Sequence, residues 1–172
     1  MKTPFVTQRI YTRPGKINNT SSDFVCLYCG AFVSAGEALS GVRNRNHCPY
    51  CLSSRHLDEF EPGDRLSACK ACMKPVGLTL KRVAKKYASH NQGELMLVHL
   101  CEECGKVSIN RIAADDIAEM ILSVLEKSAG LDSETLDLLA QDGVIPLSPD
   151  QANLVRQCLF GIRSKNLSHE RI

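Results

Sequence analysis

Eight of the nine cysteines fall into four pairs of one spacing: Cys26/Cys29, Cys48/Cys51, Cys69/Cys72 and Cys101/Cys104. Two residues between cysteines allow a tight turn that aims both sulfurs at one ion. Two such turns complete a tetrahedron around zinc, with Zn–S of about 2.3 Å. The first two pairs are 18 residues apart, within the range of a four-cysteine zinc site. The last two are 28 apart, an interval that a hairpin with a generous loop spans because closure cost grows slowly with length. Pairing in sequence order is preferred, with crossed pairing as the alternative. Gly30 and Gly105 directly follow the first and fourth pairs, where a glycine eases the turn. Four thiolates close each coordination shell and leave no place for an activated water, so two structural Zn2+ ions per chain are expected. The same residues also suit iron, disulfides or a redox dithiol.

The segment Arg43-Asn44-Arg45-Asn46-His47-Cys48-Pro49-Tyr50-Cys51 offers other chemistry beside the second pair. His47, with Asn46 and His56, invites comparison with HNH-type nucleases, in which a histidine base activates water beside a divalent metal. A second histidine pair or carboxylate cluster in an adjoining hairpin is missing from the sequence, so no catalytic residue is assigned. Asn46 and His47 are instead expected to brace the cysteine turn by hydrogen bonds to thiolates or backbone. Arg43 and Arg45 alternate along an expected strand and would share a face; their forks suit phosphate, or else Glu37, Asp58 or Glu59. Lys81, Arg82, Lys85, Lys86 and Tyr87 form a second candidate nucleic-acid contact, with Tyr87 placed to stack on a base. Such a run also reads as a solvated face.

These residues need elements to hold them. Aromatics make up only 5% of the chain and there is no Trp, so a core this thin needs a staple. Structural zinc supplies one, worth on the order of 10–16 kcal/mol. Short apolar runs at 76–80 and 95–100, a loop at 89–93 and a third strand at 106–110 predict a β unit around the last two cysteine pairs. From Asp116 to Lys127 the apolar period becomes helical, with Gly130 as its cap. A second helix is expected at 134–140. A third begins at the capping-box sequence Ser148-Pro149-Asp150-Gln151 and ends at Gly161, carrying Cys158 as a core residue. The expected fold class is a small metal-stabilised α+β protein: two tandem zinc-ribbon-like β units followed by a short helical tail. The units are a flexible basic arm at 1–22, a first ribbon at 23–62, a second at 63–112 and an acidic three-helix tail at 113–172.

Charge follows this division. The first 112 residues sum to +7 and the last 60 to −5, so a basic, cysteine-rich front is joined to an acidic rear. The front suits a polyanion or an acidic protein face. No stretch approaches the ~20 apolar residues of a membrane span, and no secretory apolar run opens the chain. A cytoplasmic location, where thiols stay reduced, is therefore expected.

Arg45-Asn46-His47-Cys48-Pro49 matches the pentapeptide that names the RNHCP domain family. Its surroundings are similar too: Phe24-x-Cys26-x2-Cys29-Gly30 before it, then Cys51-Leu52, His56-Leu57-Asp58, Pro62-Gly63-Asp64-Arg65 and Cys69-x2-Cys72. The resemblance covers roughly residues 22 to 110. It implies a prokaryotic, zinc-binding protein and carries over no catalytic residue. Taken with the charge distribution, the leading expectation is a non-enzymatic zinc protein that binds nucleic acid, RNA before DNA, within a ribosomal or transcriptional assembly. The alternatives are an adaptor that docks a protein partner through 113–172, and an HNH-like nuclease.

Overall fold

The computed structural model of the chain describes residues 23–82 and 93–161. The expected arm at 1–22, most of the expected loop, and Lys85, Lys86 and Tyr87 lie outside them, as does the side chain of Arg82.

The described residues form a small α+β fold with two sheets. Strands β1 (Phe24–Val25) and β2 (Phe32–Val33) form a two-stranded antiparallel ribbon around the first cysteine pair. A one-turn helix α1 (Glu37–Ser40) and the 42–47 segment lead to β3 (Ser54–Arg55). The second sheet is antiparallel in the order β3, β4 (Cys72–Arg82), β5 (Gly93–Cys101), β6 (Val107–Arg111). The hairpin and third strand expected from the apolar runs are therefore present. β3 joins β4 by the pairs Ser54 with Met73 and Arg55 with Cys72, so the sheet of the second half begins with a strand of the first.

Pro75 interrupts β4 without breaking the sheet. The register shifts between Pro75 and Gly77, and β3 reaches only Cys72 and Met73, so the proline lies at a bulge where no neighbour requires its missing N–H. Farther along, an extended segment covers the open edge: Leu147 N–H donates to Leu78 O at 2.7 Å, and Thr79 Oγ1 donates to Ile145 O at 2.7 Å. Covering the edge removes a template for aggregation.

Helix α2 (Ala118–Lys127) turns Ile121, Val124 and Leu125 onto this sheet and continues into a 3₁₀ turn, Ser128–Gly130. Gly130 is part of that turn; the backbone leaves it extended at Leu131. Helix α3 (Ser133–Gln141) is capped by Asp132, whose Oδ1 accepts from Thr135 N–H at 2.7 Å. The capping box at Ser148 and Gln151 forms as expected, opening a 3₁₀ turn (Pro149–Gln151) and helix α4 (Ala152–Phe160), which ends on left-handed Gly161. Cys158 is exposed on α4, correcting the core placement; Val155 takes the inward position.

One apolar cluster joins Leu52 of the first half to Leu78, Leu95 and Leu97 of the sheet and to Ile121, Val124, Leu125, Leu147 and Val155 of the helical half. The apolar face of α2 is thereby buried inside the molecule. No helix among the described residues is long and apolar enough to cross a membrane.

Candidate metal centres

Three of the four cysteine pairs adopt one backbone turn. At Cys26, Cys48 and Cys101 the N–H receives no local partner within the pair; it donates five residues ahead, to Ala31 O, Ser53 O and Lys106 O at 2.9, 3.0 and 2.9 Å. Each cysteine carbonyl then accepts from the N–H four residues ahead, that of Gly30, Leu52 or Gly105, at 3.0, 2.9 and 3.1 Å. The turn requires positive φ at that fourth residue: +74° at Gly30, +71° at Gly105 and +60° at Leu52. Glycine accepts this freely, whereas Leu52 holds a left-handed conformation that costs roughly 1–2 kcal/mol. Two things hold Leu52 there: a side chain fully buried in the core, and a carbonyl that accepts from His99 Nε2–H at 2.7 Å.

The first two turns bring Cys26, Cys29, Cys48 and Cys51 together, with all four sulfurs within 4.8 Å of one another. Cys26 Sγ and Cys51 Sγ are 3.6 Å apart, and Cys29 Sγ and Cys48 Sγ 3.7 Å. Four sulfurs at about 2.3 Å from one ion would stand about 3.8 Å apart, so the donor set fits a tetrahedral metal. Burial pushes the Cys48 and Cys51 thiols up, while the Ala31 backbone N–H draws Cys29 down. Ionising all four so close together needs a compensating cation, which a divalent metal provides.

The second cluster differs from the expected four cysteines. It consists of His56, Cys69, Cys101 and Cys104, whose ligand atoms also lie within 4.8 Å of one another. Cys69 Sγ and Cys101 Sγ are 3.7 Å apart, and His56 Nδ1 lies 3.4 Å from Cys104 Sγ. Cys72 is not among them. It opens β4, registered against Arg55, and so belongs to a strand where its partner Cys69 belongs to a loop. Lys70 between them has φ +55°, and the repeated turn of the other three pairs does not form. His56 takes the fourth position because its backbone N–H donates to Ala71 O at 2.9 Å, tying it beside Cys69.

His56 suits the role. Burial pulls its pKa down, favouring the neutral imidazole that binds metals. Its Nε2 is buried without a hydrogen-bond partner and faces Glu59 Oε2 at 3.9 Å, the arrangement in which an outer carboxylate orients a ligand imidazole. Both clusters can hold a metal ion, and neither leaves a coordination position open for water.

The Arg45-Asn46-His47 stretch braces the first centre from behind. Arg45 is buried: Nε donates to His47 O at 3.0 Å, NH1 to both Asp115 oxygens at 2.8 and 2.7 Å, and NH2 to Asp116 Oδ1 at 3.1 Å. His47 Nε2 donates to Asp116 Oδ2 at 2.8 Å. Asp116 Oδ2 also accepts from Ala113 N–H at 2.8 Å, and its side chain has no exposed surface. Two backbone bonds close the same seam, Ala114 N–H to Ser40 O at 2.8 Å and Ile117 N–H to Pro49 O at 3.2 Å. Asn46 Nδ2 donates to Asp58 Oδ2 at 3.0 Å, and its Oδ1 accepts from Arg65 NH1. Asn46 and His47 thus fix the segment through carboxylates. A base role for His47 would need access to solvent, and the ring is buried against Asp116 and 6.2 Å from the His99 ring.

Burial also corrects the expectation that Arg45 meets a phosphate. It does not share a face with Arg43, which is exposed and 3.6 Å from Glu37. Arg43 and Lys81 do come together, lining one cavity with Arg111. The carboxylates Asp115 and Asp116 escaped the sequence reading because charged residues before a helix look like ordinary N-terminal capping charges. His56 escaped because four equal cysteine spacings outweighed one histidine.

The RNHCP domain matches residues 21–122, which spans both clusters and the carboxylates that brace them. The chain belongs to the RNHCP domain family, here a small metal-binding α+β domain with helices following it. No curated protein and no solved structure matches the chain.

Proposed function

We propose that this is a structural zinc protein, a pair of ribbon-like zinc units, whose rigid face binds nucleic acid, with RNA preferred to DNA. Zinc is favoured because closed tetrahedral shells of four cysteines, and of three cysteines with one histidine, are the donor sets of structural zinc. Both shells are saturated, so the ions serve the fold and the function lies on the surface they stiffen.

The observation that carries the nucleic-acid reading is the convergence of Arg43 and Lys81, from segments far apart in the chain, with Arg111 at one cavity. RNA is preferred because short basic hairpins without a recognition helix suit single strands better than a duplex groove. A ribosomal or transcriptional assembly is the setting in which such a protein would act. The test is binding of a labelled single-stranded RNA across a salt series. Affinity is expected to fall as salt rises, and Lys81→Ala to flatten the slope by about one counterion. Absent or salt-independent binding would overturn the nucleic-acid part of the reading.

A further inference from the structure

A cavity of about 320 Å³ opens between the 42–47 segment, the 58–62 loop and the outer ends of β4, β5 and β6. Among the described residues, four cations line it, Arg43, Arg45, Lys81 and Arg111, with one carboxylate, that of Asp58. Arg45 and Asp58 are held from within the fold. Arg45 is held by Asp115 and Asp116, and Asp58 accepts from Asn46 Nδ2 at 3.0 Å and from Arg65 N–H at 3.1 Å.

The remaining cations are positioned to take an anion. Arg43 pairs with Glu37 at 3.6 Å and Arg111 with Glu94 at 2.9 Å, both in solvent, and neither glutamate lines the cavity. Exposed pairs of this kind contribute about 0–1 kcal/mol, so exchanging such a carboxylate for a phosphate costs little. A phosphate offers a bidentate partner with doubled charge, which a guanidinium fork matches better than one exposed carboxylate. The same cavity is lined by apolar Val42, Met96 and Ile109, beside polar Asn46, His47 and Asn110. Asn44 stands beside them, its amide packed so closely over Gly63 (φ +89°) that a Cβ there would collide with it.

A pocket that combines cations with apolar and neutral polar side chains fits a ligand with a phosphate at one end and a flat, weakly polar group at the other. Its volume lies at the small end of the ~300–1,000 Å³ range of ligand pockets, room for one nucleotide and not for a duplex. We infer that this cavity receives a single nucleoside monophosphate unit, its phosphate against Arg43, Lys81 and Arg111 and its base against Val42, Met96 and Ile109. The inference rests on the nucleic-acid reading for the source of that unit, a looped-out residue of single-stranded RNA, but the same chemistry is offered by a free nucleotide.

The experiment separates the two. Methyl NMR spectra of the metal-loaded full chain are recorded with adenosine monophosphate, with uridine monophosphate and with a short single-stranded RNA. The Met96 and Ile109 methyl signals are expected to shift with nucleotide and with RNA alike, and Lys81→Ala/Arg111→Ala to weaken both by about tenfold or more. Lys127→Ala, on the last turn of α2 and away from the cavity, is expected to change neither. Shifts with nucleotide alone would keep the pocket and overturn RNA as its source. RNA binding that leaves both methyls and the double variant unaffected would overturn the pocket while keeping the RNA reading. No binding of either would overturn both.

Discussion

His47 and Asp116 stand 69 residues apart in sequence, yet the imidazole Nε2 is 2.8 Å from Asp116 Oδ2, and the other oxygen of the same carboxylate is 3.1 Å from Arg45 NH2. One buried carboxylate thus ties the segment that carries Cys48 to the segment that enters α2. Arg45, which looks from the sequence like a surface phosphate contact, and His47, expected to brace the cysteine turn, work as the two jaws of an internal clamp.

Removing Asp116 should therefore unfold more than a local turn. Asp116→Ala leaves Arg45 buried with only Asp115 for charge partner, and losing one side of a buried pair costs about 3–5 kcal/mol. Arg45→Lys is expected to recover little, since an ammonium cannot reach His47 O, Asp115 and Asp116 together. Urea unfolding of the metal-loaded variants measures both. A loss under about 1 kcal/mol for Asp116→Ala would fall in the range of an ordinary surface change and contradict the clamp.

The cysteine turns show how far spacing can be read. Gly30 and Gly105 are legible because a positive φ asks for glycine, and both adopt it. The strands at 72–82, 93–101 and 107–111 are legible from short apolar runs, and the start of α4 from its capping box. Cys72 was not legible: whether a pair forms a turn depends on where a strand begins, and β4 begins at Cys72 itself. Arg45 was not legible because burial of a charge is decided by carboxylates some 70 residues away, which no local pattern records.

Leu52 offers a test of the turn itself. At φ +60° an alanine is strained while glycine is not, yet either substitution empties the same fully buried site. Leu52→Ala is expected to cost about 2–5 kcal/mol, and Leu52→Gly roughly 1 kcal/mol less than alanine, the reverse of the usual order. Chemical unfolding of the pair decides it; glycine costing more than alanine would show that the left-handed turn does not hold.

Asp64 staples the 59–66 loop, and its titration should show it. Burial alone would raise its pKa, but backbone N–H donors of Leu66, Glu59, Glu61 and Phe60 outweigh that and hold it at about 2. The folded value lies below that of the unfolded chain, so its contribution to stability is full above the ordinary aspartate range and is lost as pH falls toward 2. Carboxyl ¹³C shifts are expected to keep Asp64 ionised at about pH 4, where an unperturbed aspartate is nearly half protonated. A midpoint near 4 for Asp64 would contradict the staple.

The make-up of the second centre is tested most directly by counting metal. Elemental analysis of the purified chain is expected to give about two zinc ions per molecule, unchanged in Cys72→Ser and falling to about one in His56→Ala, as the two clusters require. Two ions in His56→Ala with one in Cys72→Ser would return the second centre to four cysteines, and no bound metal in the unaltered chain would contradict both centres.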